Sequence, residues 1–436
     1  MSLSLGRRLL LAFYSALLWL LVPITLYHLV WRGLRQREYL LRWSERYAQL
    51  DSLPEIAPGA VWVHAVSVGE VNAAIPLVNA LRKRYPQRPL LITTITPTGS
   101  ARVRALWGDD VHHVYLPYDL HGMVRRFLER VQPAMAVVIE TELWPNLFVA
   151  CARSDVPVVI ANARLSERSL RGYRWMGPLI RLALSGVRLI AAQSESDAAR
   201  FRVLAGDHVH INVTGNLKFD QPLPQASREE ALTWRKQCGN RPVWVAASTH
   251  GDEEAAVLEA HFRLRERYPS ALLLWAPRHP ERFGAVAERV VAAGLQLRKR
   301  SNERGPDARC DVFLIDSLGE LPGFLAAGDI AFVGGSLSDV GGHNLLEPAA
   351  LGLPVLSGPH TFNFAEIAGL LKDVGALETV MDATELAAAL IWLIQHPDQA
   401  RIRGRAGRQR IDRERGALER TLTLIDAVGG LGRPQV

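Results

Sequence analysis

Residues 330–364 read IAFVGGSLSDVGGHNLLEPAALGLPVLSGPHTFNF. A short apolar run, Ile330–Val333, breaks at Gly334 and Gly335, and a second pair, Gly341 and Gly342, precedes a stretch of helical spacing. This pattern predicts a buried strand, a tight loop and a helix. Glycine lets the backbone turn sharply there and approach a ligand closely. Asn344 reads as the N-cap, and Glu347, three residues on, has the spacing of a capping box. A strand, a glycine loop and a helix N-terminus together can cradle an anion, because unpaired backbone N–H groups point outward at such a place. A carboxylate in the first turn would repel a phosphate set directly on it, so Glu347 reads as an acceptor for ribose hydroxyls beside that phosphate. Taken alone, the glycines favour an ordinary capped βα turn. The rest of the chain decides between the two.

Upstream, short apolar runs recur at Val61–Ala65, Leu90–Thr94, Ala134–Ile139, Val156–Ala161 and Leu189–Ala192, with helical patterns such as Asn72–Tyr85 and Leu170–Leu184 between them. A second series follows at Val243–Ala247, Leu272–Ala276, Val312–Ile315, Ile330–Val333 and Val355–Leu356. Continuous apolar strands alternating with amphipathic helices predict α/β domains with parallel sheets covered on both faces. Phe219–Ser227, with Pro222 and Pro224, reads as the hinge, which places Rossmann-like domains at 60–220 and 228–398. Residues 399–436 are arginine-rich and read as a helical segment packing at the domain junction, or else as a solvated basic face. Ligands of open α/β sheets bind beyond the carboxyl ends of the strands, so two such domains facing a cleft suit a transferase.

Ahead of these domains the chain is of another kind. Leu9–Trp31 carries no charged residue and is long enough to cross a bilayer. Trp19, Tyr27 and Trp31 read as interfacial aromatics. A cleaved signal peptide fits less well, because the apolar run is long and no A-x-A site follows. Arg32, Arg35, Arg37, Arg42 and Arg46 come next and by the positive-inside rule hold the downstream side in the cytoplasm. Pro23 and His28 leave a shallow monotopic anchor open. Residues 1–47 thus read as a membrane anchor plus a basic amphipathic juxtamembrane helix over Arg32–Tyr47. Leu50–Gly59, with Pro54 and Pro58, reads as a linker. The 436 residues hold 51 Lys and Arg against 44 Asp and Glu, a formal net charge of +7 that suits acidic ligands or an anionic membrane surface. No basic stripe interleaved with aromatics points to nucleic acid. Cys151, Cys238 and Cys310 lie far apart without CxxC spacing, which argues for a reducing compartment and against a disulfide or zinc framework.

The polar residues cluster after predicted strands. His64–Glu70 (HAVSVGE) follows the first strand, so Glu70 stands at a strand end and a helix start, where a carboxylate could deprotonate an acceptor hydroxyl or merely complement the helix dipole. Ser67 and Gly69 add a nest-like loop able to hold an anion. Thr93–Gly99 (TTITPTG) brings Thr96, Thr98 and Gly99, with Thr98 as the simple helix cap. Glu140 and Glu142 end another strand and read as substrate-hydroxyl acceptors or loop structure, since no third ligand of metal spacing is near. Arg164 offers a guanidinium to an anionic acceptor. In the second domain Ser248–Gly251 precedes the acidic run Asp252–Glu254. Pro277 and Arg278 present a planar cation, and Leu318, Gly319 and Glu320 open a helix whose backbone could contact a base. Each alone reads as a cap or a surface ion pair; their joint placement after strands, beside Gly334–Glu347, points to one nucleotide site. No GxxxxGK[ST], G-x-S-x-G, HExxH or D-x-D occurs, so P-loop, serine-hydrolase and metal-anchored diphosphate chemistry have no support. His112–His113 reads as a solvated or partly buried pair.

Together these strings resemble one family, the 3-deoxy-D-manno-octulosonic acid (Kdo) transferases of lipopolysaccharide assembly. They are SVGE at 67–70, TPTG at 96–99, TELWPN at 141–146, NARLSERS at 162–169, GNLKFD at 215–220, PRHPERF at 277–283, GEL at 319–321, FVGGSL at 332–337, GGHNLLEPA at 341–349 and GPHTFNF at 358–364. The similarity covers nearly the whole chain, anchor included. It implies a GT-B fold, a CMP-Kdo donor, the lipid A precursor lipid IVA as acceptor at the cytoplasmic face of the cell inner membrane, inversion at the anomeric carbon, and neither metal nor other cofactor. Glu70 matches the catalytic base; Pro277, Arg278, Leu318, Gly319, Glu320, Asn344, Leu345, Leu346 and Glu347 match CMP-contacting positions. Ser67, Gly69, Thr96, Thr98, Gly99, Glu142, Arg164, Gly341, Gly342 and His343 are then expected to contact acceptor or donor sugar. Leu318 stands where many relatives have methionine, and Ser338-Asp339-Val340 departs from the usual loop. A GT-B enzyme using a UDP-sugar, and an inert membrane-tethered nucleotide-binding scaffold, are the alternatives that CMP-versus-UDP competition and a Glu70→Gln variant would separate.

Overall fold

The computed structural model describes residues 4–50, 53, 55–221, 226–307 and 309–432; Pro54 of the linker and Pro222 and Pro224 of the hinge lie outside the described residues. The chain forms two compact units, Met1–Gln221 with Arg415–Val436, and Pro222–Glu414.

The first unit opens with helix α1 (Leu5–Arg35) and holds a seven-stranded parallel sheet: β1 (Val61–His64), β2 (Leu90–Thr94), β3 (His112–Tyr115), β4 (Met135–Ile139), β5 (Val158–Ala163), β6 (Val187–Ala192) and β7 (His210–Val213). The strand order is β3-β2-β1-β4-β5-β6-β7, with β1 pairing β2 from Val61↔Leu90 and β4 from Val61↔Met135. Helices α2 (Val68–Arg84), α3 (Pro97–Trp107), α4 (His121–Val131), α5 (Pro145–Arg153), α6 (Glu167–Trp175), α7 (Gly177–Leu184) and α8 (Glu195–Ala205) cover its faces. Side chains alternate along each strand. On β1, Trp62 enters a core with Phe127, Phe148 and Phe201, while Val61 and Val63 enter the opposite core with Leu77 and Leu81.

The second unit repeats the plan. Its strands are β8 (Val243–Thr249), β9 (Leu272–Pro277), β10 (Leu297–Lys299), β11 (Val312–Leu314), β12 (Ile330–Val333), β13 (Val355–Ser357) and β14 (Leu377–Thr379), in the order β10-β11-β9-β8-β12-β13-β14. Around them run α9 (Ala226–Cys238), α10 (Glu254–Arg267), α11 (Phe283–Ala292), α12 (Leu321–Ala327), α13 (Leu346–Ala350), α14 (Ala365–Asp373), α15 (Ala383–Gln395) and α16 (Pro397–Glu414), while α17 (Ala417–Val428) belongs to the first unit. In both sheets the chain starts centrally, winds to one edge and returns to wind to the other. The reversal falls between β1 and β4, and between β8 and β12, and ligands bind beside such switch points.

Two readings need correction. Arg32–Tyr47 is not one amphipathic helix: α1 ends at Arg35, and 3₁₀ turns follow at Arg37–Tyr39 and Trp43–Tyr47. Arg42 and Ala48 take left-handed backbone (φ 57 for each), and the segment turns inward rather than along a surface. Glu45 is buried, accepting from Tyr115 N at 2.9 Å, and the buried Arg46 donates to Ile95 O at 2.7 Å. Leu170–Leu184 is two helices, broken at Met176 before Gly177-Pro178. The arginine-rich C-terminal segment also divides. In α16, Gly404 lies so close to the Gly352 carbonyl that a Cβ would strike it, whereas Asp426 of α17 binds Arg84 and Tyr85 of the first unit.

Candidate active site

At the first switch point β1 ends at His64 and α2 begins at Val68 with Ser67 as N-cap, its hydroxyl accepting from Glu70 N. Glu70 reaches back: Oε2 accepts from Val66 N at 2.6 Å and Oε1 from Ser67 Oγ at 3.2 Å. The carboxyl is thus held in one rotamer over the end of β1. Burial pushes its pKa up to about 8, and the charges of Glu142 and Glu140 push the same way. A carboxyl so shifted exchanges its proton near neutral pH, the range in which general base chemistry works.

The neighbouring loops close around it. Thr96, not Thr98, caps α3: its Oγ1 accepts from Gly99 N at 3.1 Å and donates to Val66 O at 3.3 Å, tying α3 to the Glu70 loop. A Cβ on Gly99 would sit 2.9 Å from Thr96 Oγ1 and 3.4 Å from Val66 O, so the two loops meet through glycine. Thr98 is exposed. At the end of β4, Glu140 takes left-handed backbone (φ 63) and lies 3.8 Å from Lys218 Nζ. Glu142 is raised to about 7, by burial first and by Glu140. Asn162, at the end of β5, is also left-handed (φ 55) and buried, its Oδ1 accepting from Leu217 N at 3.0 Å. Strained non-glycine backbone at two adjacent strand ends fits a site whose geometry the fold imposes. Arg164 follows, exposed.

In the second unit the expected nucleotide residues fall at the carboxyl ends of four neighbouring strands. Leu318–Glu320 follow β11, Pro277–Arg278 end β9, Ser248–Glu253 end β8, and Gly334–Glu347 follow β12. The glycine loop is not the open anion cradle expected from its sequence. Glu253, buried, fills it: Oε2 accepts from His250 N at 3.0 Å and Gly335 N at 2.6 Å, and Oε1 from Ser336 N and Leu337 N at 2.8 Å each. Gly334 allows this closeness, since a Cβ there would lie 2.7 Å from Thr249 Cα and 2.8 Å from Glu253 Oε2. Sequence reasoning missed Glu253 because it sits in the run Asp252–Glu254, which reads as the acidic start of a helix. The signal was its place directly after a strand.

Nor does Asn344 cap α13 as expected. Leu345 is the N-cap of this five-residue helix; Asn344 Oδ1 accepts from Leu346 N at 3.0 Å, and its Nδ2 donates to Glu347 Oε1 at 2.9 Å. Burial raises the Glu347 pKa. Beside the loop, His250 Nε2 and His343 Nε2 are 2.8 Å apart with their rings nearly parallel, and His279 stands edge-on to His250 at 5.1 Å. His343 is lowered to about 4 by burial and then by Arg278 and the other two imidazoles, which keeps its ring neutral. Arg278, exposed, is anchored through its backbone N–H to Thr249 O at 3.0 Å. Gly319 has a φ of +87, Leu318 is exposed, and Glu320 is fixed by Arg300 at 2.7 Å. Its side chain is therefore engaged, and its carbonyl accepts from Gly323 N at 3.0 Å as α12 begins.

Two seven-stranded parallel sheets, each with constrained polar loops at its switch point, have the architecture of a glycosyltransferase of the GT-B type. Residues 41–221 match the family model described as 3-Deoxy-D-manno-octulosonic-acid transferase (kdotransferase), and residues 262–410 the model described as Glycosyl transferases group 1. The 3-deoxy-D-manno-octulosonic acid transferase of Haemophilus influenzae is 41% identical over 418 residues, covering 95% of this chain and 97% of that protein. That of Bordetella pertussis is 41% identical over 385 residues, covering 86% and 88%. A solved glycosyltransferase from Rickettsia africae shares the fold at a TM-score of 0.53 and 14% identity, covering 85% of this chain and 99% of that one. The chain belongs to the 3-deoxy-D-manno-octulosonic acid (Kdo) transferase family, and it is a glycosyltransferase that moves Kdo.

Proposed function

We propose that the chain transfers Kdo from CMP-Kdo to lipid IVA, with inversion and without a metal, at the cytoplasmic face of the inner membrane. The observation that carries this reading is Glu70: a carboxyl buried at a switch point, locked by Val66 N and Ser67 Oγ, and raised to about 8. In its deprotonated form it is a stronger base than an ordinary carboxylate. The acceptor hydroxyl oxygen attacks the Kdo anomeric carbon, Glu70 takes the hydroxyl proton, and the bond to the phosphate oxygen breaks with CMP leaving as the anion. Arg278 stabilises the phosphate charge as it develops, and no acid need protonate so good a leaving group. Asn344 and Glu347 hold the ribose, and the backbone of 318–320 the base. The α1 segment and the basic surface keep the enzyme where a bisphosphorylated lipid acceptor resides.

Purified full-length enzyme with CMP-Kdo and lipid IVA, products read by mass spectrometry, tests the reaction, and turnover in EDTA tests metal independence. Glu70→Gln is expected to abolish transfer while CMP affinity, read by calorimetry, stays unchanged. Undiminished transfer by this variant would sink the assignment of Glu70.

A further inference from the structure

Helix α1 is apolar enough to cross a membrane, yet one side of its N-terminal half is packed against the protein. Leu11, Ser15, Leu18 and Val22 recur at steps of three or four residues on one side, Leu11 buried and the other three half-buried. Leu11 packs on Val149, Leu179 and Leu182, and Leu18 and Val22 on Leu120 and Met123. Past this seam, Gly33 is covered by Leu40 of the turn that follows α1, with which a Cβ would collide. The seam is also polar. Tyr14 donates to Asp119 Oδ2 at 3.1 Å, and Ser15 and Asn146 are joined at 3.1–3.2 Å. Asp119 in turn accepts from Asn146 N at 3.0 Å and Leu147 N at 2.8 Å, capping α5. The opposite side is exposed and apolar: Leu9, Phe13, Leu17, Leu20, Ile24 and Trp31.

We propose that α1 lies in the plane of one leaflet as a monotopic helix, with its inner seam docked on the first unit and its outer face among the acyl chains of an anionic bilayer. This rests on reading α1 as a membrane segment and fixes how it meets the membrane. From Leu11 to Val22 the seam runs for about 17 Å at 1.5 Å per residue, roughly half the thickness of the hydrocarbon core. A spanning α1 would therefore carry its docked partners, Asp119 and Asn146 among them, into that core. Beside Leu11 is a pocket of about 390 Å³ lined by His121, Arg125, Glu129 and Arg153, and an ionised side chain at bilayer depth is strongly disfavoured. With α1 in the plane, the same arginines reach the phosphate level, where cations are favoured. Arg7, Arg8, Arg32 and Arg35 at the two helix ends then lie at that level too.

The two topologies differ in where the N-terminus goes. Gly6→Cys and Gln36→Cys, made separately in the full-length chain, are reacted with a membrane-impermeant maleimide in intact spheroplasts and in inside-out vesicles. The native Cys151, Cys238 and Cys310 are buried and supply the background. Both variants are expected to be labelled in inside-out vesicles and neither in spheroplasts. Labelling of Gly6→Cys from outside the spheroplast would overturn the in-plane helix while leaving the membrane reading intact. Recovery of the unmodified chain in the soluble fraction would remove both. A Ser15→Cys/Asn146→Cys pair, treated with a short thiol cross-linker in the membrane-bound state, is expected to cross-link; its failure to do so in chain that still turns over would show α1 undocked and refute the proposal.

Discussion

Glu253→Gln is the sharpest perturbation of the donor unit, because it changes one atom in a group that holds four backbone donors. Each carboxylate oxygen of Glu253 accepts two N–H bonds, His250 and Gly335 on one side, Ser336 and Leu337 on the other. A carboxamide keeps one oxygen. Whichever way it lies, its NH₂ faces two N–H groups that have no other partner within reach, so two charge-assisted bonds are lost. At roughly 1.5–3 kcal/mol each, the cost is about 3–6 kcal/mol, a large share of a domain's stability. For a unit the size of Pro222–Glu414 this lowers the melting midpoint by ~6–24 °C at ~2–4 °C per kcal/mol. The assay is thermal unfolding of the full-length protein in detergent, read by tryptophan fluorescence, with CMP affinity measured below the transition. Asp252→Asn, the exposed neighbour, is the control and is expected to change neither. A Glu253→Gln midpoint within ~2 °C of the parent would refute the claim that this carboxylate organises the glycine loop.

Three further outcomes are expected. If Glu70 is the base, kcat/KM rises with pH through about 8. The same shift works on stability: the folded chain binds the Glu70 proton more tightly than the unfolded chain, whose value is near 4.5, so this contribution is full below 4.5 and is lost as pH climbs towards 8. Glu70→Gln should remove its share of that slope, and an unaltered slope in a pH series of melts would show that the carboxyl is not so perturbed. Arg278→Ala should weaken CMP binding by ~10–100-fold, the loss of a charge-assisted phosphate contact, and calorimetry showing an unchanged Kd would remove Arg278 from the donor site. Gly358→Ala places a Cβ onto the Ser336 backbone, at a cost of about 1–3 kcal/mol, and by displacing Ser336 it should lower CMP affinity as well; a variant with parental melting and binding would mean that the loop yields more readily than its packing indicates.

What could be read from the sequence follows from which interactions are local. Interior strands such as β1, β4 and β12 are buried at every residue and stand out as unbroken apolar runs. The four strands that the pattern missed, β3, β7, β10 and β14, are the four sheet edges. One flank of an edge strand has no partner, so polar residues are tolerated: His112 and His113 open β3, and β7 alternates exposed with half-buried positions. The site divides the same way. Glu70 was legible because its contacts, Val66 and Ser67, lie within one turn of it. The anion loop was misread because its amides bond to a carboxylate more than eighty positions away in the chain.

The N-terminus shows the same limit from the other direction. Composition makes Leu9–Trp31 long enough to span, Pro23 and His28 leave a shallow anchor open, and Tyr14 and Ser15 are tolerable in a membrane helix either way. Their partners Asp119 and Asn146 are 105 and 131 positions downstream. Asp119 is buried at the foot of α5, and burial raises its pKa to about 7, so the fold bears the cost of placing a carboxyl there. Two backbone amides and the Tyr14 hydroxyl offset that cost. Withdrawing α1 into a bilayer would strip away one of those donors and expose the apolar groove that Leu11 fills. The charged body that makes docking compatible with water is what makes spanning costly. On the in-plane proposal, the globular unit decides how α1 meets a bilayer as much as the hydropathy of the helix does.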